Sequence, residues 1–145
     1  QGYWKMKEKT EEAFKEDGFF ITGDLAQKDE NGYFTIVGRD KDMIISGGLN
    51  VYPKEIEDVL NELPNVLESA VFGLQHADFG EAVVAAVVVN DKKNDENQII
   101  DFTKDKIAKY KQPKKIIFMD NLPRNSMGKV QKNLLRKNNQ NLFKG

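Results

Sequence analysis

Apolar residues recur at Ile56, Val59, Leu60 and Leu63, the i, i+3, i+4, i+7 spacing that puts one greasy stripe on a helix. Pro53 suits the first turn of that helix. Farther on the period changes. Val66–Leu74 and Ala82–Val89 are β-rich apolar runs, and the longer stretches are strand-sized, well short of the ~20 residues that span a bilayer. Asp95 predicts the cap of a second helix running to about Lys109, with Ile100, Thr103, Ile107 and Tyr110 on one side. Lys115–Met119 reads as a strand, and Val130–Lys137 as a short basic helix after a polar loop. With the strand Met43–Ser46 in front, the order is β-β-α-β-β-α-β-α. That predicts an α+β fold, a small sheet flanked by helices.

The first forty residues read differently. Thr10 predicts the cap of a helix over Glu11–Glu16, closed by Gly18. Phe19–Ile21 reads as a strand stub. Asn31-Gly32 predicts a type I′ hairpin turn between Leu25–Lys28 and Tyr33–Val37, with both turn residues at positive φ. This short β segment has no helical layer and little to bury. It is expected to be the end of a larger domain, with the boundary at the charged stretch Arg39–Asp42.

Composition changes the picture in two ways. The 145 residues contain no Cys and one His, which excludes disulfide frameworks, thiolate metal sites and multi-histidine chemistry. His76 reads as a structural loop residue. No apolar signal segment occupies Gln1–Lys7, so a cytoplasmic setting is expected. The net charge of -1 hides an asymmetry. Residues 1–102 carry 10 basic and 21 acidic side chains; residues 103–145 carry 12 and 2. A basic last third points to a polyanionic partner, or to a solvated lysine-rich surface.

Four local signals carry chemistry. The loop Leu122-Pro-Arg-Asn-Ser-Met-Gly-Lys-Val130 puts Lys129 after a turn glycine, where it can reach a phosphate or carboxylate or simply face solvent. It lacks the first glycine and the Ser/Thr of a phosphate-cradling loop. Thr22-Gly23-Asp24, with Gly38-Arg39 at the far end of the hairpin, offers a carboxylate suited to a ribose diol beside a guanidinium fork. Alternatively, Asp24 is a turn residue and Arg39 part of a surface ion pair. Gly47-Gly48 allows a substrate chain to pass close to bare backbone, or makes a turn or bulge. Phe79 and Tyr110, in polar settings near lysines, are core residues or rings for stacking on a purine.

Three stretches occur in one order: Asp17-Gly-Phe-Phe-Ile-Thr-Gly-Asp-Leu25, Gly38-Arg-Asp-Lys-Asp-Met-Ile-Ile-Ser-Gly-Gly-Leu-Asn-Val-Tyr-Pro-Lys-Glu-Ile-Glu57, and Leu122 through Lys132. Together they closely resemble the C-terminal part of the adenylate-forming acyl-CoA synthetases, over essentially the whole chain. Tyr3-Trp4-Lys5-Met6, His76-Ala-Asp-Phe-Gly-Glu81 and Pro113-Lys-Lys-Ile-Ile-Phe118 resemble the malonyl-CoA synthetase branch.

The resemblance implies a two-step reaction: a carboxylate and ATP give an acyl-adenylate and pyrophosphate, and the thiol of coenzyme A then displaces AMP. It implies that residues 1–40 end an N-terminal adenylation domain and residues 41–145 form a mobile lid hinged at Lys41. That N-terminal domain would be the lid's partner, and would hold Mg2+ and a small malonate-like acid. Asp24 and Arg39 would bind the ribose of ATP or AMP, and Lys129 would be the adenylation lysine. Gly47, Gly48, Phe79, Tyr110 and Lys111 would meet CoA. No metal site is expected in this chain. Leu49 stands where some relatives have an Arg for phosphate. An aryl- or fatty-acid ligase is the alternative within the family. An adenylation domain serving a carrier protein is another, against which stands a chain that stops soon after Lys129. A basic nucleic-acid-binding module is the alternative from a different class; the acidic first two-thirds and the absence of aromatic strand motifs speak against it.

Overall fold

The computed structural model describes residues 2–90 and 95–144. The first helix, α1, spans Lys7–Ala13, so it starts and stops earlier than expected. Thr10 sits inside it, not at its cap. The Thr10 hydroxyl donates to Met6 O and accepts from Tyr3 N, each at 2.9 Å, and is therefore committed to the helix's own backbone. The stub at Phe19–Ile21 reduces to one bridge, Phe14 to Phe20. Gly18, at φ +85°, turns the chain between them rather than closing the helix.

Strands β1 (Asp24–Lys28) and β2 (Phe34–Arg39) form an antiparallel hairpin that pairs Asp24 with Arg39. The turn is not type I′. Gly32 alone has positive φ there, because the Asp29 carboxylate accepts from Asn31 N at 2.9 Å and Tyr33 N at 2.8 Å. That side chain folds Glu30-Asn31-Gly32 into a three-residue loop ending in a left-handed glycine.

A 3-10 turn, Asp40–Asp42, leads to β3 (Ile44–Ser46) and β4 (Leu49–Val51). Here the two-residue turn does occur. Ser46 pairs with Leu49, and Gly47 and Gly48 have φ of +59° and +79°, the signature of type I′. Helix α2 (Pro53–Leu60) buries Ile56 and Leu60. The long strands β5 (Val66–His76) and β6 (Gly80–Val89) follow, then α3 (Glu96–Lys104), β7 (Lys115–Phe118) and α4 (Lys132–Asn138).

The element order from β3 onward is the expected one, and the fold is α+β. Strand β6 is central: β5 pairs along one edge antiparallel, and β3 and β7 share the other, β7 parallel. Alternate residues face opposite cores. Val71, Val83, Ala85 and Val87 pack under α2 and α3; Phe72, Leu74, Val84 and Ala86 pack against Leu122 and Leu135 of the α4 side. A strand covered on both faces needs no polar alternation, which is why Ala82–Val89 is apolar throughout.

Asp95 caps α3 as expected, accepting from Asn97 N at 3.0 Å, but the helix ends at Lys104. The chain leaves the helix axis to bury Ile107, and Lys109–Lys111 form a separate 3-10 turn. The fully buried stripe on α3 is Ile99 and Thr103; Ile100 and Tyr110 only flank the core. The Thr103 hydroxyl is satisfied by donating to Ile100 O at 2.7 Å.

Candidate functional site

The hairpin register alone brings Asp24 and Arg39 together, although fifteen positions separate them. Arg39 Nε lies 2.8 Å from Asp24 Oδ1, and its Nη1 donates to Thr22 O at 2.7 Å. Thr22 Oγ1 in turn accepts from Asp24 N at 3.1 Å. A carboxylate braced on one oxygen by a bound guanidinium keeps its other oxygen available to a hydroxyl. The pair lines a cleft of about 350 Å³ with Asp42, Lys54 and Lys132.

Lys129 stands at the end of a stiff loop. Gly128 N donates to Asn125 O, and Asn125 N to Lys129 O, each at 2.9 Å. The Asn125 side chain accepts from Met127 N and Lys129 N at 3.0 and 2.9 Å, and Gly128 has φ +78°. Arg124 donates to Gly128 O at 2.6 Å and pairs with Glu68 on β5, hooking the loop to the sheet. A second cleft, of about 370 Å³, is lined by Lys129 with Lys41, Asp42, Lys132 and Arg136. Two of its cations are already neutralised: Lys132 lies 2.7 Å from Glu57, and Arg136 3.0 Å from Asp42. Among the described residues, Lys41 and Lys129 are the cations of this cleft without an acidic partner.

Gly47-Gly48 and Phe79 share a second locus. Gly47 N donates to Phe79 O at 2.8 Å, and Ser46 pairs with Gly80. Phe79 is exposed, at 36%. Its ring sits 4.7 Å from that of His76, with Lys114 Nζ 5.3 Å from the ring centre. His76 ends β5, paired with Gly80, so it is a strand residue rather than a loop residue.

Tyr110 and Lys111 lie on the 3-10 turn that faces α2. Tyr110 is half-buried against the α2–α3 core and makes no ring contact with Phe79. Lys111 Nζ donates to both oxygens of Glu55, at 2.7 and 2.8 Å. That hydrogen-bonded carboxylate raises the Lys111 pKa above its ordinary value, against a smaller opposing effect of burial. Lys111 is thus occupied holding the 3-10 turn to α2, and Lys114 is the cation beside the exposed ring. Sequence reading passed over Lys114, Glu55 and Glu57. The one signal for Lys114 was its place between Pro113 and β7, where its backbone N donates to Val83 O of β6 at 2.8 Å.

The basic last third is largely spoken for by the same kind of contact. Lys106, Lys111, Lys115, Arg124, Lys132 and Arg136 each pair with an acid from the first two-thirds of the chain. Among the described residues, no cluster of three or more His, Asp or Glu is placed to hold a metal. No helix among them is long and apolar enough to cross a membrane.

Residues 55–129 match the AMP-binding enzyme C-terminal domain. Long-chain-fatty-acid–CoA ligase FadD13 of Mycobacterium tuberculosis is 47% identical over 134 residues, 92% of this chain and 26% of that protein. Malonate–CoA ligase of Arabidopsis thaliana is 40% identical over 151 residues, 96% of this chain and 25% of that protein. ATP-bound MatB from Rhodopseudomonas palustris superposes with a TM-score of 0.89 at 54% identity, over 99% of this chain and 29% of that one. Apo MatB, with the same coverage and 56% identity, gives 0.74. The chain therefore spans about a quarter of the length of the curated relatives it matches. With the match running from α2 through the Lys129 loop, over more than half of its residues, the chain belongs to the C-terminal domain family of AMP-binding enzymes.

Proposed function

We propose that this chain is the C-terminal part of an ATP-dependent acid–CoA ligase, and that its acid is malonate or a similar small dicarboxylate. In the first step a carboxylate oxygen bonds to the α-phosphorus of ATP and the bond to the β-phosphate bridging oxygen breaks, releasing pyrophosphate. In the second, the CoA sulfur bonds to the acyl carbon and AMP leaves with the electron pair of the broken acyl–oxygen bond. The observation that carries the reading is Lys129: an unpaired ammonium on a loop braced by Asn125, Arg124 and Gly128, within the family match.

Lys129 is assigned to the first step, bridging carboxylate and α-phosphate as negative charge builds. A preorganised cation at that place stabilises the transition state by roughly 3–4 kcal/mol. Asp24, steadied by Arg39, takes the ribose hydroxyls. Gly47 and Gly48 present bare backbone to the pantetheine arm, and Phe79 offers its ring to the CoA purine with Lys114 beside it. Tyr110 is the second ring of that subsite, and Lys111 stabilises its turn through Glu55.

Residues 1–40 belong in this reading to the adenylation domain, and residues 41–145 to a lid that pivots at Lys41. The two MatB forms support a pivot: one protein, at nearly equal identity and equal coverage, superposes on this chain to different extents with and without ATP. The malonate choice is supported by the Tyr3–Met6, His76–Glu81 and Pro113–Phe118 stretches and by the malonate–CoA ligase relative. The FadD13 similarity makes a long-chain acid the competing substrate.

The test is ATP–pyrophosphate exchange by the full-length protein with malonate, a long-chain fatty acid and an aryl acid, followed by thioester formation with CoA. Exchange should be fastest with malonate. Exchange with the fatty acid alone would overturn the malonate assignment, and none with any acid would overturn the ligase reading. The 145-residue chain by itself should catalyse no exchange.

A further inference from the structure

His76 has no part in the chemistry above, yet its ring is held on three sides. It lies 4.7 Å from Phe79 at 33° and 5.1 Å from Phe143 at 61°, centroid to centroid. Its Nδ1 accepts from Asp78 N at 3.1 Å, which fixes the rotation of the ring within the turn that carries Phe79. Phe143 arrives from the segment that follows α4. It packs, partly buried, on the core face formed by Phe72, Leu74 and Leu135. The segment is anchored by Leu142 N to Asn139 O at 3.0 Å and by the Asn139 side chain donating to Leu135 O at 2.8 Å. A continuous column thus runs from the core through Phe143 and His76 to the exposed Phe79.

An exposed phenyl ring on a short turn would otherwise choose among rotamers and have to be ordered when a ligand stacks on it. The column removes that cost in advance. The hydrogen bond from Gly47 N to Phe79 O ties the same turn to the two glycines, so the ring and the bare backbone are held in one fixed relation.

We propose that His76 and Phe143 are positioning residues that preset the Phe79 ring for the purine of coenzyme A. The proposal rests on the reading of Phe79 as a CoA ring. It gives the segment that follows α4 a share in CoA affinity and none in adenylation.

The test uses the full-length enzyme with Phe143→Leu, which keeps the apolar anchor and removes the ring edge, and with His76→Leu. Each should raise the CoA KM by roughly threefold to tenfold, the worth of one such ring contact. Neither should change kcat at saturating CoA, ATP–pyrophosphate exchange or the melting temperature by much. Phe143→Tyr should restore the wild-type CoA KM. Phe79→Ala is the reference. If it leaves the CoA KM unchanged while exchange proceeds, the reading of Phe79 has failed, and this proposal with it. If Phe79→Ala raises the CoA KM but Phe143→Leu and His76→Leu do not, the column alone is refuted. Equal losses in exchange and in CoA KM would mark the two residues as merely structural and also refute it.

Discussion

Glu57→Ala removes one carboxylate that closes two gaps at once. Its Oε1 accepts from Val71 N on β5 at 2.8 Å and lies 2.7 Å from Lys132 Nζ on α4. The two side chains are 15% and 17% exposed, so water reaches neither freely. Without Glu57, the ammonium of Lys132 is left largely buried and unpaired. Breaking a buried pair by deleting one partner costs roughly 3–5 kcal/mol, and the residual exposure here argues for the lower end. The Val71 amide loses its acceptor as well, at about 1–3 kcal/mol if nothing replaces it. The two losses overlap, because water admitted to Lys132 also reaches Val71, so about 3–4 kcal/mol is expected in total. Urea denaturation followed by circular dichroism should show this as a lower midpoint at unchanged slope. Glu57→Gln keeps an acceptor for Val71, and combining it with Lys132→Met removes the charge mismatch. That double variant should recover most of the loss. A Glu57→Ala cost under about 1 kcal/mol, or a double variant no better than Glu57→Ala, would show that the carboxylate is not the clamp between α2, β5 and α4.

In the full-length enzyme, Lys129→Ala should slow ATP–pyrophosphate exchange by roughly 10²–10³-fold while sparing thioester formation from supplied acyl-adenylate. Equal losses in both half-reactions would contradict a role confined to adenylation. Lys41→Pro should leave one half-reaction and abolish the other, since proline fixes φ near -65° and so permits one lid orientation; wild-type rates in both would remove Lys41 as the pivot. Glu55→Gln should cost about 1 kcal/mol at neutral pH, a modest figure because Glu55 is 40% exposed. The Lys111 pKa is raised on folding, so the pair's contribution is complete below the unfolded lysine value and fades as pH climbs through the folded one. Denaturation midpoints of wild type and variant should therefore converge at strongly alkaline pH, and a gap that stays constant would refute the linkage.

Periodic elements were legible because their causes are local. The α2 stripe at Ile56 and Leu60, the apolar run of β6 and the Asp95 cap need only neighbouring residues to be read, and all three stand where expected. The errors occurred where a side chain competes for backbone groups. Asp29 turns a two-residue hairpin into a three-residue one, and Thr10 bonds within a helix it was expected to start. Helix α3 stops at Lys104 because Ile107 has to reach the core, a demand set by the sheet and not by the helix. For the site, the proximity of Asp24 and Arg39 followed from the hairpin. That Gly47 would touch Phe79 did not, since it depends on β3 meeting the start of β6.

Charge was the least legible feature, and the reason bears on function. The sequence shows an acidic front and a basic back, which suggests an external polyanion. Folding matches the two internally: seven basic side chains after residue 102 pair with acids before it, and in six of these the partners are far apart in sequence, so the pair fastens separate segments together. What survives this subtraction is more informative than the total. Among the described residues, Lys109, Lys114, Lys129, Lys137 and Lys144 remain without an acidic partner in the basic third, and Lys41 joins them at the cleft of Lys129. Lys129 lies where the adenylation lysine is assigned, and Lys114 lies over the exposed ring of Phe79. A cation with an internal acid already has its counter-charge, and drawing it to a ligand would cost that pair. A cation without one gives up only water. The fold therefore sorts its lysines into fasteners and free charges, and two of the free ones, Lys129 and Lys114, stand where the proposed function calls for a cation.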